Sequence, residues 1–132
     1  MIQSAVPPIA KSAFLSGVHQ KGDQYRMALY DKAADLGART KSYTRDGEAR
    51  GEGYAAGGKL IDDWKVVETP AGAHVEFGAV IWPGATLKAA GAMVYNASRP
   101  GNPAIAVLSF GEEVASTRAP FTVRLEDKLL TL

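Results

Sequence analysis

The stretch Gly51-Glu-Gly53-Tyr-Ala-Ala56 satisfies the G-x-G-x-x-G/A pattern of loops that cradle a dinucleotide pyrophosphate. Such a loop works because it follows a buried strand and opens a helix whose first amides receive the phosphates. Neither neighbour is expected here. Arg45 to Arg50 is too polar for a buried strand, and Gly57 with Gly58 would break the first helical turn. Lys59 to Val67 reads instead as the approach to a strand. The expectation is a long glycine-rich surface loop with no cofactor.

Other residue types capable of chemistry are present without the spacing that chemistry needs. His19 and His74 lie far apart, and neither belongs to a recognisable metal motif. The pairs Asp62-Asp63 and Glu112-Glu113 are adjacent, so in strands their side chains point to opposite faces, as loop or edge charges do. No serine sits in a G-x-S-x-G elbow, and the absence of cysteine excludes disulfides, thiolate metal sites and thiol catalysis. Asn96-Ala-Ser98 matches the glycosylation pattern by chance alone on this reading, since no leader of signal-peptide type precedes it. No enzymatic activity and no bound metal are expected. Tyr30, Tyr43 and Tyr54 stand in or beside loops, where an amphipathic ring serves a protein interface. Pro7 and Pro8, in a proline-bearing N-terminal arm, complete the candidate interface.

A net charge of +1, with both signs dispersed, lacks the clustered basic footprint of a nucleic-acid binder. No uninterrupted apolar run is long enough to span a membrane, and synthesis is expected in the cytoplasm. Within 132 residues one core is expected. The division expected is an arm with a short helix over 1–23 and a single β domain over 24–132.

The elements that would position these residues are mostly strands. Pro7 to His19 carries Ala10, Phe14 and Val18 at helical spacing, with its prolines at the start. Tyr25 to Tyr30 then alternates, with Tyr25, Met27 and Leu29 on one face; Trp64 to Glu68 alternates less cleanly. His74 to Trp82 predicts one strand with Val75, Phe77, Ala79 and Ile81 facing inward. Leu87 to Tyr95 and Ala104 to Phe110 are apolar on both faces, as central strands are, and Phe121 to Glu126 alternates again. Trp64, Trp82, Tyr95 and Phe110 are expected to be mostly core anchors. Reversals are expected at Thr69 to Gly72, Pro83-Gly84 and Arg99 to Pro103. The fold class is therefore all-β, an antiparallel β-sandwich or jelly-roll-like domain. The apolar tail Leu129 to Leu132 must pack into its own sheet or a partner's.

The order of these features resembles a group of small virion structural proteins of tailed bacteriophages. The resemblance rests on Ala28-Leu-Tyr30, on the loop Tyr43-Thr-Arg-Asp-Gly47-Glu-Ala-Arg-Gly51-Glu-Gly53-Tyr54-Ala-Ala-Gly57-Gly58, on Val75 to Trp82 and on Tyr95-Asn96. It covers roughly residues 25 to 111, and the glycine-tyrosine loop is its most specific part. It implies a non-enzymatic virion protein, first a capsid decoration or cement protein contacting the major capsid protein, and second a tail or neck component. A symmetric homo-oligomer is expected, with the arm lying along a neighbouring subunit. From another class, a receptor- or carbohydrate-binding β module would need exposed aromatics converging on one concave face.

Overall fold

Two long strands dominate the chain because two segments are apolar on both faces and are joined by a strong turn. In the computed structural model, which describes residues 2–8, 23–61, 65–70, 72–76, 79–124 and 130–131, these are β5 (Ala79–Asn96) and β6 (Ala104–Arg124). The turn between them holds Gly101 and Asn102 at positive φ, and Asn102 donates its amide to Arg99 O at 3.1 Å. Ahead of the hairpin come β1 (Tyr25–Tyr30), β2 (Lys59–Leu60), β3 (Lys65–Thr69) and β4 (Gly72–Glu76); β7 (Leu130–Thr131) follows it. All pairings between these strands are antiparallel, in one sheet of order β2-β1-β5-β6 and another of order β3-β4-β7.

The four-stranded sheet is buried on both faces. Met27 and Leu29 of β1 pair with Val94 and Ala92 of β5 and share one apolar cluster with Ile105, Trp82 and Phe121. Ala28 and Tyr30 turn to the opposite face, where Met93, Tyr95, Ala104 and Val107 form a second cluster. Met27, Leu29, Tyr30, Met93 and Val107 are all 0% exposed. Each apolar side chain so buried contributes about 1.5–3 kcal/mol of transfer free energy.

Residues 2–7 form an extended arm along the edge of this sheet. Ala5 and Val107 exchange both backbone hydrogen bonds, at 2.9 and 2.8 Å, and Gln3 donates to Leu36 O at 2.9 Å. Ile2 packs with the second cluster and Val6 with the first. The helix expected from Pro7 to His19 lies, from residue 9 onward, outside the described residues.

Three sequence expectations are corrected. Pro83-Gly84 does not reverse the chain; β5 runs through it as an irregularity between the pairs Trp82↔Phe121 and Ala85↔Ala119, with Gly84 at φ 61°. The run His74 to Trp82 is not one strand, because β4 ends at Glu76 in one sheet and β5 begins at Ala79 in the other. Its inward face at this end is also the opposite one: Val80 and Trp82 are buried, whereas Ile81 is 41% exposed. The bulky indole decides the register, since it packs edge-on against Phe121 at a centroid distance of 6.4 Å. Ala104 to Phe110 and Phe121 to Glu126, read as separate strands, are joined in β6 as far as Arg124, and residues 125 and 126 lie outside the described residues.

Several calls hold. Thr69 and Gly72 close the β3-β4 hairpin, β1 presents the expected faces, and Leu130 and Thr131, the described residues of the apolar tail, pair with Val75 and His74 of their own chain. Glu112 and Glu113 are exposed on β6, in a bulge where residues 110–113 stand opposite Ala90 alone. Bulged, charged edges resist pairing with another sheet.

Candidate functional site: a tyrosine and glutamate cluster under the glycine-rich loop

Among the described residues the outer edge of β1 has no strand partner beyond Lys59 and Leu60, and the glycine-rich loop takes that place. Ala49 donates its amide to Leu29 O at 2.8 Å, and Asp31 donates to Gly47 O at 2.8 Å. Further along, the loop crosses to β5, where Thr86 donates to Glu52 O at 2.9 Å. The glycine content follows from these contacts. A Cβ on Gly51 would stand 2.1 Å from Thr86 O, and one on Gly58 would stand 1.9 Å from Met27 O. Gly58 also sits at φ +80°, a conformation that L side chains rarely adopt.

At the centre of this loop lies Glu48, only 6% exposed. Its Oε1 accepts from the Tyr43 hydroxyl at 2.6 Å. Its Oε2 accepts from the Tyr54 hydroxyl and from the Gly57 amide, the latter at 2.9 Å. Among the described residues no cation lies within ion-pair distance of it. A buried carboxylate is costly unless its lone pairs are met, and three neutral donors meet them here.

The same hydroxyls reach onward. Tyr54 accepts from the Leu29 amide at 3.0 Å, so its single oxygen joins loop and strand. Tyr95 donates to Gly57 O, and Arg26 donates to Gly58 O at 2.8 Å. Tyr30 donates to Thr44 O at 2.6 Å. The Tyr43 and Tyr95 rings stack with centroids 4.7 Å apart. Burial pushes the phenols of Tyr30, Tyr43 and Tyr54 well above the ordinary tyrosine value, and the hydrogen bond to Glu48 adds to this for Tyr43 and Tyr54. Burial likewise raises Tyr95, and it pushes Tyr25 up to about 12, with Asp23 adding to the effect. Tyr30, Tyr43, Tyr54 and Tyr95 are held as neutral donors, unsuited to proton abstraction near neutral pH.

The structure thus brings together Tyr43 and Tyr54, two of the candidate interface residues, and places Tyr30 beside them. Tyr30 is fully buried and Tyr43 and Tyr54 are half-buried, so these rings brace the inside of the chain. In the arm, Pro7 is buried and Pro8 is exposed. The sequence reading gives Glu48 no role beyond its place in the resemblance loop, and gives the Tyr95 hydroxyl none. The available signal was the spacing of Tyr43, Glu48 and Tyr54 among glycines that allow close approach.

A second polar cluster fixes the β5-β6 turn. Asn96, 0% exposed, donates its side-chain amide to Asp23 at 2.8 Å, and Arg99 grips the same carboxylate at 2.9 and 3.0 Å. The glycosylation pattern therefore begins at a buried, engaged amide.

A cleft of about 620 Å³ lies beside the loop between Lys32, Arg50, Thr86, Lys88 and Glu113. No aromatic side chain lines it. Among the described residues there is no group of three or more His, Asp or Glu that could hold a metal ion, and no helix long and apolar enough to cross a membrane.

No protein-family model, no curated protein and no solved structure matches this chain.

Proposed function

We propose that this chain is a non-enzymatic structural protein of a bacteriophage virion, with its two antiparallel sheets packed as a sandwich-like body. Its first place is on the capsid as a decoration or cement protein, held by contacts with the major capsid protein. The observation that carries the reading is the fate of the resemblance residues. Tyr43, Glu48, Tyr54, Gly57, Gly58 and Tyr95 enter one connected brace, with hydroxyls and carboxylate spent on internal hydrogen bonds. A motif spent on rigidity suits a protein whose work is to hold a shape under load.

A carbohydrate-binding module is less well supported, because it needs aromatic rings on a concave surface. The cleft beside the loop offers charged and hydroxyl groups instead. A tail or neck position is the second placement within the same class.

Co-sedimentation tests the proposal. Purified chain mixed with heads and with isolated tails of particles lacking it should pellet with the heads at saturable stoichiometry. Binding to tails alone would move the protein to the second placement. Binding to neither, together with specific retention on a glycan array, would replace the structural reading with the module.

A further inference from the structure

The segment Arg39-Thr-Lys41-Ser-Tyr-Thr-Arg45 carries three cations and no carboxylate, and its first half borders a cavity of about 480 Å³ beside the arm. Arg39, Thr40, Lys41 and Ser42 line this cavity from the loop, and Gln3 lines it from the arm. Among the described residues Asp35 is the one carboxylate in its wall. The cleft beside the glycine-rich loop differs, because Lys32, Arg50 and Lys88 share its walls with Asp31, Glu48 and Glu113, and the charges balance.

The donors around the smaller cavity are unspent. Arg39 and Lys41 are exposed, and neither side chain makes an ion pair or hydrogen bond with the described residues; nor does the Ser42 hydroxyl. The Arg39 and Lys41 amides likewise meet no acceptor among the described residues. Thr40 Oγ1 accepts from the Gly37 amide at 2.9 Å, which leaves its own proton to give. The backbone that carries these groups is nevertheless fixed. Thr40 donates its amide to Gly37 O at 3.0 Å, Ala104 donates to Lys41 O at 2.9 Å, and Tyr43 donates to Asn102 O at 2.9 Å while its ring stacks on Tyr95. Donors held in place before binding favour a ligand that is all acceptor, since little ordering remains to oppose association. A guanidinium fork suits two oxygens of one oxyanion, and an ammonium adds a point charge. The volume lies within the range of small-molecule sites, about 300–1,000 Å³.

We propose that this cavity binds a small multivalent oxyanion, a phosphoryl or polycarboxylate compound. Arg39 grips two of its oxygens, and Lys41, Thr40 and Ser42 donate to the others. Asp35 repels it and holds the affinity down. The site does not depend on the proposed place of the chain in a virion.

Isothermal titration calorimetry of the full chain with pyrophosphate and with citrate, in a low-salt buffer free of phosphate, tests the site. Binding of pyrophosphate alone would assign phosphoryl chemistry, and binding of citrate alone would assign carboxylate chemistry. Arg39→Gln should weaken the binding by about tenfold or more, and Asp35→Asn should strengthen it about threefold. Both side chains are exposed and make no hydrogen bond among the described residues, so these variants should fold as the parent does. Arg50→Gln removes the same charge from the balanced cleft and should leave the affinity unchanged. Equal weakening by Arg39→Gln and Arg50→Gln would reduce the effect to net charge and overturn the site, as would an Arg39→Gln chain that binds as tightly as the parent. It is also overturned if neither probe binds and neither moves the backbone amide resonances of residues 37–42.

Discussion

The Tyr54 hydroxyl donates to Glu48 and accepts from the Leu29 amide at 3.0 Å, so one oxygen couples the buried carboxylate of the loop to the backbone of β1. Tyr54→Phe keeps the ring against Trp82, at a centroid distance of 6.1 Å, and removes only that oxygen. A carboxylate oxygen loses a donor and a strand amide loses its acceptor. The expected cost is about 2 kcal/mol, read as a fall in Tm of roughly 6 to 10 °C in a thermal melt. An unchanged melt would show that the coupling carries no stability.

Glu48 separates charge from hydrogen bonding. Glu48→Ala orphans the Tyr43 and Tyr54 hydroxyls and the Gly57 amide together, with an expected loss of about 3 kcal/mol or more. Glu48→Gln keeps one acceptor oxygen for Tyr54 and Gly57 while the Tyr43 hydroxyl turns to accept from the new amide, at about 1 to 2 kcal/mol. Urea unfolding of both variants should rank them in that order. Equal losses would mean that the negative charge, and not the acceptor geometry, is what the site requires.

Two glycines with positive φ should behave differently. Gly58→Ala drives a methyl group into the Met27 carbonyl, and the fold should lose more than about 4 kcal/mol or fail to form. Gly101, at φ +78°, has nothing within 4 Å of its missing Cβ. Gly101→Ala should therefore cost only the left-handed conformation, about 1 to 2 kcal/mol. Soluble yield followed by chemical unfolding distinguishes the two.

Alkaline pH should unfold the chain through its tyrosines. Tyr25, Tyr30, Tyr43, Tyr54 and Tyr95 all have phenols raised by burial, and these are all five tyrosines in the chain. The folded state then holds protons that the unfolded state releases above about pH 10. Their contribution to stability is complete below that pH and is lost as pH rises from there toward the folded values. At about pH 11, folded chain should show little tyrosinate absorbance and urea-unfolded chain nearly the full signal. Ordinary titration in the folded chain would contradict the buried network.

Much of the fold was legible because it depends on local patterns. Alternation placed Tyr25, Met27 and Leu29 on one face, and the Arg99 to Pro103 turn joined the two longest strands. Pro83-Gly84 misled because its turn chemistry is absorbed into β5 as an irregularity, where the pairing on either side continues. Ile81 misled because simple alternation from Val75 assumes an unbroken strand, and β4 and β5 lie in different sheets. At the site, the loop could be read as a glycine-rich surface connection that carries Tyr43 and Tyr54. Glu48 could not, because a polar residue among polar neighbours shows no sign of burial until the glycines bring the backbone over it. The donors that satisfy it, the Tyr43 and Tyr54 hydroxyls and the Gly57 amide, come from loop positions, while Tyr95 on a distant strand donates to the Gly57 carbonyl.

The central claim, a structural role on the capsid, meets its most direct test in heat and osmotic challenge of particles assembled without this protein. Adding back purified chain should restore survival of infectious particles to the level of complete ones, and the Glu48→Ala variant should fail to do so. Particles that resist the challenge equally well with and without the chain would contradict the account.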